Sequence, residues 1–339
     1  MISEAENVMS RAIEPNRHIA EMKMKYSDLN ENNVILILEG SDDVKFFKKF
    51  INKDGVEIPS LREMNGKTNL IKVIEIIYNN VVEDPKIQKF RKNSQILGIV
   101  DCDFEKIEGE KEFNGQNYDH EHILTTDTHD IETMILHENS KTLERFLEKY
   151  ADPEELNAYL LEVNKPDVRT YLCDLGYLVG LMRYFREKNI RENNIREKNY
   201  GRGKFKDYFS YTFYLEQYTN CDKKKLIEYC FAGFDDTDIQ EILTHYEEGW
   251  KRDLIWHICH GHDLMAFLEI ILERRSILSE DGRTEWNKPP RKLNQDIGKI
   301  AEETFRDQYG YSDFLKTDIF NSIIAWEKKN HKSVLEKPT

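Results

Sequence analysis

Acidic residues that follow two apolar segments are the positions in this chain best suited to chemistry. The segment VILIL at residues 34–38 is followed by Glu39, and the segment ILGIV at residues 96–100 is followed by Asp101 and Asp103. Runs of Val, Ile and Leu without polar alternation are typical of strands that are buried on both faces of a parallel sheet. Ligands of such domains bind at the carboxyl edge of the sheet, so we expect these acids to meet there.

Carboxylates that meet at one sheet edge favour a divalent cation. Strand alternation predicts that Asp101 and Asp103 point to the same face, and a helix predicted from residue 41 carries Asp43 in its first turn, beside Glu39. Crowded carboxylates repel one another and have raised pKa values, a conflict that a hard cation removes. We therefore predict a pair of Mg²⁺ ions, or Mn²⁺ in their place. The alternative is that each acid only caps a helix or faces solvent.

Four motifs resemble those of the Toprim domain, which occurs in topoisomerases, bacterial-type primases and OLD-type nucleases. Two of them are EGSDD at residues 39–43 and DCD at residues 101–103. Between them, MNGKTN at residues 64–69 resembles the glycine turn that follows the second Toprim strand. It leads into a predicted helix with Leu70, Val73, Ile74 and Ile77 at helical spacing. After them, DIE at residues 130–132 resembles the segment that brings a further acid to the metal ions in Toprim nucleases.

The resemblance covers residues 34–137 and implies an α/β, Toprim-like fold with a mostly parallel sheet and flanking helices. It implies a metal-dependent nuclease that hydrolyses phosphodiester bonds, with Glu39 as a candidate general base. Neither a priming module nor a nucleophilic tyrosine module is evident, so nucleotidyl transfer and strand passage are less favoured, while an inactive scaffold stays open. The metal ligands that the resemblance implies are Glu39, Asp43, Asp101, Asp103, Asp130 and Glu132, and the catalytic residues are Glu39, Asp101, Asp103 and Glu132.

Together with these motifs, the segment ICHGHDL at residues 258–264 resembles the AriB effectors of the PARIS anti-phage system. Those proteins more often have Gly-Lys-Asp there, so His262 stands in place of a lysine and becomes a further catalytic candidate. Alternatively, His260 and His262 only pack against or cap the following helix.

The AriB resemblance also has implications for biology and partners. It implies a toxic effector of antiviral defence and abortive infection that an ATPase partner protein holds silent and that cleaves tRNA after release. A DNA substrate, a scaffold that binds the ATPase, and a homodimer stay open.

A basic segment at residues 183–206 contrasts with the net charge of −14, because it has nine basic residues and three acids. Within it, the repeat REKNI-RENNI-REKNY at residues 186–200 has a step of five, which turns a helix by about 140° and stacks no apolar face. The repeat predicts a solvated loop or a flexible basic arm that binds RNA or DNA. With Lys67, the nucleic-acid contacts that we predict are Arg183, Arg186, Arg191, Arg196, Arg202 and Lys204.

Composition and periodicity predict the remaining organisation of the 339 residues. A charged fraction of 33% and a mean hydropathy of −0.69 predict a protein without membrane spans. Scattered cysteines and a polar start without an apolar core predict a reduced, cytoplasmic protein. The predicted parts are a helix and linker (1–33), the Toprim-like metal-binding domain (34–140) and a mainly helical domain (141–339). The last part carries a helix over residues 168–185, an aromatic hairpin near residues 201–216 and one helix over residues 254–278.

Overall fold

The computed structural model gives the placement of most of the chain. It describes residues 4–53, 58–78, 83–113, 116–193, 222–230, 233–273, 276–278, 284–286 and 297–336. The predicted aromatic hairpin and the distal part of the basic segment, with Arg196, Arg202 and Lys204, lie outside these residues.

Helices account for most of the described secondary structure. In chain order they are α1 (Glu4–Lys25), α2 (Ser41–Phe47), α3 (Lys67–Tyr78), α4 (Pro85–Lys92), α5 (Glu105–Glu108), α6 (Ile131–Leu136), α7 (Thr142–Tyr150), α8 (Pro153–Glu162), α9 (Val168–Asn193), α10 (Lys223–Cys230), α11 (Asp236–Glu248), α12 (Ile255–Ile258), α13 (Gly261–Glu273), α14 (Ile297–Gln308), α15 (Tyr311–Phe314) and α16 (Asp318–Asn330). Among the described residues, none of these helices combines the length and the apolar character that crossing a membrane requires.

Eight short strands complete the described structure. They are β1 (Ile35–Leu38), β2 (Ser60–Glu63), β3 (Ile96–Val100), β4 (Glu112–Phe113), β5 (Gln116–Asn117), β6 (Ile123–Thr125), β7 (Ser276–Leu278) and β8 (Thr284–Trp286). Four of them form one sheet in the order β2-β1-β3-β6, and all of its pairs are parallel. The prediction of an α/β fold with a parallel sheet and flanking helices is therefore confirmed.

The residues form two compact units, and each is discontinuous along the chain. The first comprises Met1–Cys102, Glu110–Asp127 and Phe314–Thr339, and the second comprises Asp103–Gly109 and Thr128–Asp313. These units are defined by how the residues pack and are discontinuous in sequence. The predicted domain limits at residues 33 and 140 therefore stay a prediction.

The core of the first unit lies between one face of the sheet and helices α1, α3 and α4. Leu70, Val73, Ile74 and Ile77 recur at helical spacing in α3, and all four are buried against strand residues such as Ile37. Burial of one such side chain contributes roughly 1.5–3 kcal/mol, so this face is a main source of the unit's stability. The helix that residues 70–77 predict is therefore confirmed.

Helix α9 is central in the second unit and is longer than its apolar pattern predicts. The apolar stripe ends at Phe185, but the helix continues to Asn193 and includes the first five-residue repeat, which the sequence analysis placed in a loop or arm. Polar contacts replace the missing apolar face, because Asn189 donates to Asp238 at 2.8 Å and Arg191 pairs with Glu108. A loop prediction for residues 186–193 is therefore wrong.

The single helix predicted for residues 254–278 is also wrong. Its residues form α12, α13 and strand β7, and Cys259 between the two helices has an extended backbone with ψ of 137°. The side chain of Asp130 accepts the backbone N–H of Gly261 at 2.8 Å, which satisfies a helix N-terminus that a continuous helix would not have. Apolar periodicity alone does not record this break.

A buried histidine in the first unit links stability to pH. The Nε1–H of Trp326 donates to Nδ1 of His122 at 3.1 Å, and the imidazole stacks on Tyr78 with ring centroids 3.8 Å apart. Burial lowers the pKa of His122 to about 4, because the charged imidazolium would lose its water.

We predict that His122→Phe removes part of the acid sensitivity of folding. The imidazole of His122 has a pKa of about 6.5 in the unfolded state, so below that pH the unfolded protein binds a proton at His122 and the folded protein does not. This difference lowers the free energy of unfolding of the wild type by roughly 2 kcal/mol from pH 7 to pH 5. Urea unfolding at both pH values measures the loss. The Phe variant is expected to be less stable at pH 7, since Trp326 loses an acceptor, but to lose less on acidification. The exposed control His331→Asn should keep the wild-type pH dependence, and an unchanged loss in His122→Phe would contradict the assignment.

Candidate functional site

In the first unit, Glu39 and Asp101 follow the two central strands of the sheet. Strands β1 and β3 are parallel neighbours, with Leu38 opposite Ile99, so the two acids stand at the same edge. Oε1 of Glu39 accepts the backbone N–H of Asp101 at 2.8 Å. Both side chains are half-buried. The structure thus brings these two predicted ligands together.

Asp43 lies in the first turn of α2, as the sequence predicts. Its Oδ2 accepts the backbone N–H of Gly40, the residue that follows Glu39, at 2.8 Å. A carboxylate at this position also interacts favourably with the positive end of a helix dipole. Three of the predicted metal ligands, Glu39, Asp43 and Asp101, therefore belong to one edge within the first unit.

Lys67 lies beneath this edge, at the start of α3. The preceding Gly66 has a φ of 111°, which only glycine adopts easily, and its N–H donates to the carbonyl oxygen of Glu39 at 2.8 Å. Nζ of Lys67 donates to the carbonyl oxygen of Asp101 at 2.5 Å, and the side chain is 4% exposed. To reach a phosphate it would have to leave this carbonyl, so its placement favours a charge-balancing role over the predicted nucleic-acid contact.

Asp103 belongs to the second unit and does not continue the strand. Strand β3 ends at Val100, and Asp103 has a φ of 49°, so strand alternation does not determine its direction and the argument that it shares a face with Asp101 is wrong. Its N–H donates to the carbonyl oxygen of His129 at 2.8 Å. Its Oδ1 lies 4.0 Å from Nε2 of His129.

Asp130 joins two helix N-termini in the second unit. Its Oδ1 accepts the backbone N–H of Thr133 at 2.8 Å and so caps α6, and its Oδ2 accepts the N–H of Gly261 at the start of α13. A Cβ at Gly261 would lie 2.3 Å from Cβ of Glu132 and 2.4 Å from Oδ1 of Asp130. Gly261, in the segment ICHGHDL, therefore permits this close approach.

Glu132, in the first turn of α6, is a buried acid with a charged partner. Arg306 of α14 donates to its Oε1 at 2.6 Å. Burial, followed by the charge of Asp130, raises the pKa of Glu132. Arg306 is not predictable from the sequence, because nothing in the amphipathic pattern of α14 indicates which acid its guanidinium contacts.

Three histidines of the second unit, His129, His260 and His262, lie at or near the starts of α6 and α13. Nδ1 of His129 lies 3.0 Å from the carbonyl oxygen of His257, and the rings of His129 and His260 have centroids 5.1 Å apart. Burial, followed by the charge of His129, lowers the pKa of His260 well below its usual range. The ring of His262 lies 5.3 Å from that of His260, and this residue is exposed. Sequence analysis missed His129, which lies next to the DIE motif.

Two arginines of the predicted basic segment are paired with carboxylates of the second unit. Arg183 binds the buried Asp263 through Nε at 2.5 Å and Nη2 at 2.8 Å. Arg191 pairs with Glu108. These ion pairs link α9 to its neighbours and would compete with phosphate binding. The nucleic-acid role of the basic segment, including Arg186, stays a prediction.

Glu187 is a further acid that the sequence analysis counted only as charge. The residue is exposed on α9. Desolvation, followed by the charge of Asp103, raises its pKa to about 7. Because the residue is exposed, water reduces the size of this upward shift of the pKa.

We predict that Gly261→Ala destabilises the protein by about 2–3 kcal/mol, because the added methyl group would overlap Asp130 and Glu132 and force α6 and α13 apart. Thermal or urea unfolding measures the change. Gly310→Ala is the matched control, since its nearest neighbour is Oγ of Ser312 at 3.8 Å. Equal stability of the two variants would show that the close approach at Gly261 is not required.

Comparison of the chain with protein-family models, with curated proteins and with solved structures gave no match.

Proposed function

We propose that this protein is a Mg²⁺-dependent endoribonuclease of the Toprim type. The observation that carries the proposal is the pair Glu39 and Asp101, which follow adjacent parallel strands and are joined by a 2.8 Å hydrogen bond from the Asp101 N–H. Acids at the carboxyl edge of an open parallel sheet stand where ligands of such folds bind. Asp43, at the same edge, adds a third carboxylate.

The donor chemistry of this edge fits Mg²⁺. Glu39, Asp43 and Asp101 offer carboxylate oxygens, the ligands that hard divalent cations prefer. A bound ion of this kind would supply activation of water and stabilisation of the leaving oxygen in phosphodiester hydrolysis. The resemblance of the DCD and DIE motifs adds Asp103, Asp130 and Glu132 as proposed ligands. Mn²⁺ is the alternative ion.

The residues of the chain have distinct roles in this proposal. Glu39 is held at the edge by the Asp101 N–H and is the candidate general base. Lys67 donates to the Asp101 carbonyl and offsets negative charge beneath the edge. His262, exposed at the start of α13, is the candidate proton donor.

The biological part of the proposal is a toxic effector in antiviral defence that an ATPase partner holds silent until release, after which it cleaves tRNA. It rests on the resemblance of the Toprim-like motifs, the DIE motif and the segment ICHGHDL at residues 258–264, taken together, to AriB effectors. The net charge of −14 supports a protein partner, because a negative surface discourages indiscriminate binding of nucleic acid. We propose the cytoplasm as its compartment.

An inactive scaffold that binds the ATPase is the second candidate, and a specific observation favours it. Glu39, Asp43 and Lys67 each make a hydrogen bond to the backbone of the first unit. A purely structural role, in which these three side chains hold the strand ends and the start of α2 in place, would therefore also account for their presence.

We predict that Glu39→Gln and Asp101→Asn lower Mg²⁺-dependent RNA cleavage by at least about a hundredfold, since each removes a negative ligand charge while preserving the side-chain shape. Gel assays of purified protein on tRNA with and without Mg²⁺ measure the rate. The exposed Glu31→Gln is the matched control and should cleave like wild type. Equal rates in Glu39→Gln and wild type would favour the scaffold.

We also predict new RNA ends in cells that express the wild-type protein but not Glu39→Gln. Sequencing of cellular RNA and DNA ends measures this, and clustering of ends within tRNA is the expected result. New ends confined to DNA would retain the metal-dependent chemistry and contradict the RNA substrate. Identical ends in both strains would contradict nuclease activity as a whole.

A further inference from the structure

Two histidines and one aspartate of the second unit bring their ligand atoms within 4.8 Å of one another. They are His129 and Asp130, just before α6, and His260, just before α13. Nδ1 of His260 lies 3.7 Å from Oδ2 of Asp130. Two imidazoles and one carboxylate are a donor set for divalent transition metals, whereas Mg²⁺ prefers oxygen ligands alone.

The hydrogen bonding of His129 presents one ring nitrogen as a ligand. Its Nδ1 lies 3.0 Å from the carbonyl oxygen of His257, so we assign the proton to Nδ1 and the lone pair to Nε2. Metal-binding histidines typically donate their other ring nitrogen to a carbonyl or a carboxylate in this way. Nε2 also lies 4.0 Å from Oδ1 of Asp103, which provides a nearby carboxylate.

The buried nitrogen of His260 adds a second, independent observation. Its Nδ1 is inaccessible to solvent and has no hydrogen-bond partner among the residues that the structure describes. A buried polar atom without a partner costs roughly 1–3 kcal/mol, and a metal ion at this nitrogen would satisfy it. The side chain is 28% exposed, so part of the ring reaches solvent although Nδ1 does not.

Asp130 is oriented for the same task. The N–H groups of Thr133 and Gly261 hold its two oxygens, as outer partners hold the carboxylate ligands of metal sites. Ligands about 2.0–2.2 Å from a tetrahedral ion are about 3.4 Å apart, so the cluster has to contract by roughly 1 Å on binding. The proposal requires that the partly exposed His260 rotates on binding to make this movement.

We propose that His129, Asp130 and His260 bind one divalent transition-metal ion, with Asp103, whose Oδ1 lies 4.0 Å from Nε2 of His129, as a further ligand. The site lies within the second unit. Asp130 and Asp103 would then serve this ion in place of the Mg²⁺ ions of the proposed function, whereas Glu39 and Asp101 are not among its ligands. The site assigns to His129 and His260 a role that goes beyond packing or helix capping.

Zn²⁺ titration of the full chain tests the proposal. With a competing fluorescent chelator, wild type is expected to bind one Zn²⁺ that excess Mg²⁺ does not displace, and His260→Gln should weaken binding at least about tenfold. The exposed His331→Asn is the matched histidine control and should bind like wild type. Urea unfolding without metal verifies that each variant is folded.

Co²⁺ provides a measurement that does not depend on the variants, because its visible absorption bands report nitrogen ligation in a low-coordinate site. Wild type should show these bands, and His129→Gln and His260→Gln should lose them. Absence of Zn²⁺ binding by wild type, or unchanged binding by folded His260→Gln, would overturn the proposal. Loss of binding in Glu39→Gln with retention in His260→Gln would also overturn it, by assigning the ion to the carboxylates. Zn²⁺ binding that depends on His260, in a protein without nuclease activity, would support this site and contradict only the proposed function.

Discussion

Backbone groups at the carboxyl ends of the two central strands must find partners beyond the sheet, and the first unit depends on how this is achieved. The N–H of Asp101 donates to the side chain of Glu39, and its carbonyl oxygen accepts Nζ of Lys67. The carbonyl oxygen of Glu39 accepts the N–H of Gly66, and the N–H of Cys102 donates to Oγ1 of Thr126. Buried backbone groups without partners are costly, so these contacts determine where the carboxylates of the edge stand.

The second unit meets the same requirement at helix N-termini. The two carboxylate oxygens of Asp130 accept backbone N–H groups from the first turn of α6 and the start of α13. The absence of a side chain at Gly261 lets these helices approach, and the ion pair of Arg183 with Asp263 holds α13 against α9. Glu132 and His260 are thereby held in a mostly buried environment close to other charges, which raises the pKa of Glu132 and lowers that of His260.

Both units use charged groups for structure at positions that could also perform chemistry. A carboxylate that accepts one backbone N–H still has lone pairs for a cation, so a structural role does not exclude a role as a ligand. The two donor sets differ in kind. The edge with Glu39, Asp43 and Asp101 offers carboxylates beside a lysine, whereas the cluster of the second unit adds imidazole nitrogen. This difference is the physical basis for assigning different metal classes to them.

Local sequence determined much of the fold. The uninterrupted apolar runs at residues 35–38 and 96–100 are adjacent parallel strands, and the periodic apolar residues from Leu70 to Ile77 form the helix that covers them. These predictions succeed because burial on both faces of a strand, or on one face of a helix, leaves a regular pattern. The positions of Asp43 and Glu132 in first helical turns were also predictable, because the residues that begin a helix are a local feature of the sequence.

Only the tertiary structure decided which distant groups meet. The pairing of Arg306 with Glu132, the cluster of His129 with His260, and the burial of Lys67 join residues from separate elements, and no local pattern records such contacts. The continuation of α9 to Asn193 and the break before α13 had the same origin. In each case a polar contact with another element, Asp238 for α9 and Asp130 for α13, outweighed the apolar periodicity from which the sequence prediction was made.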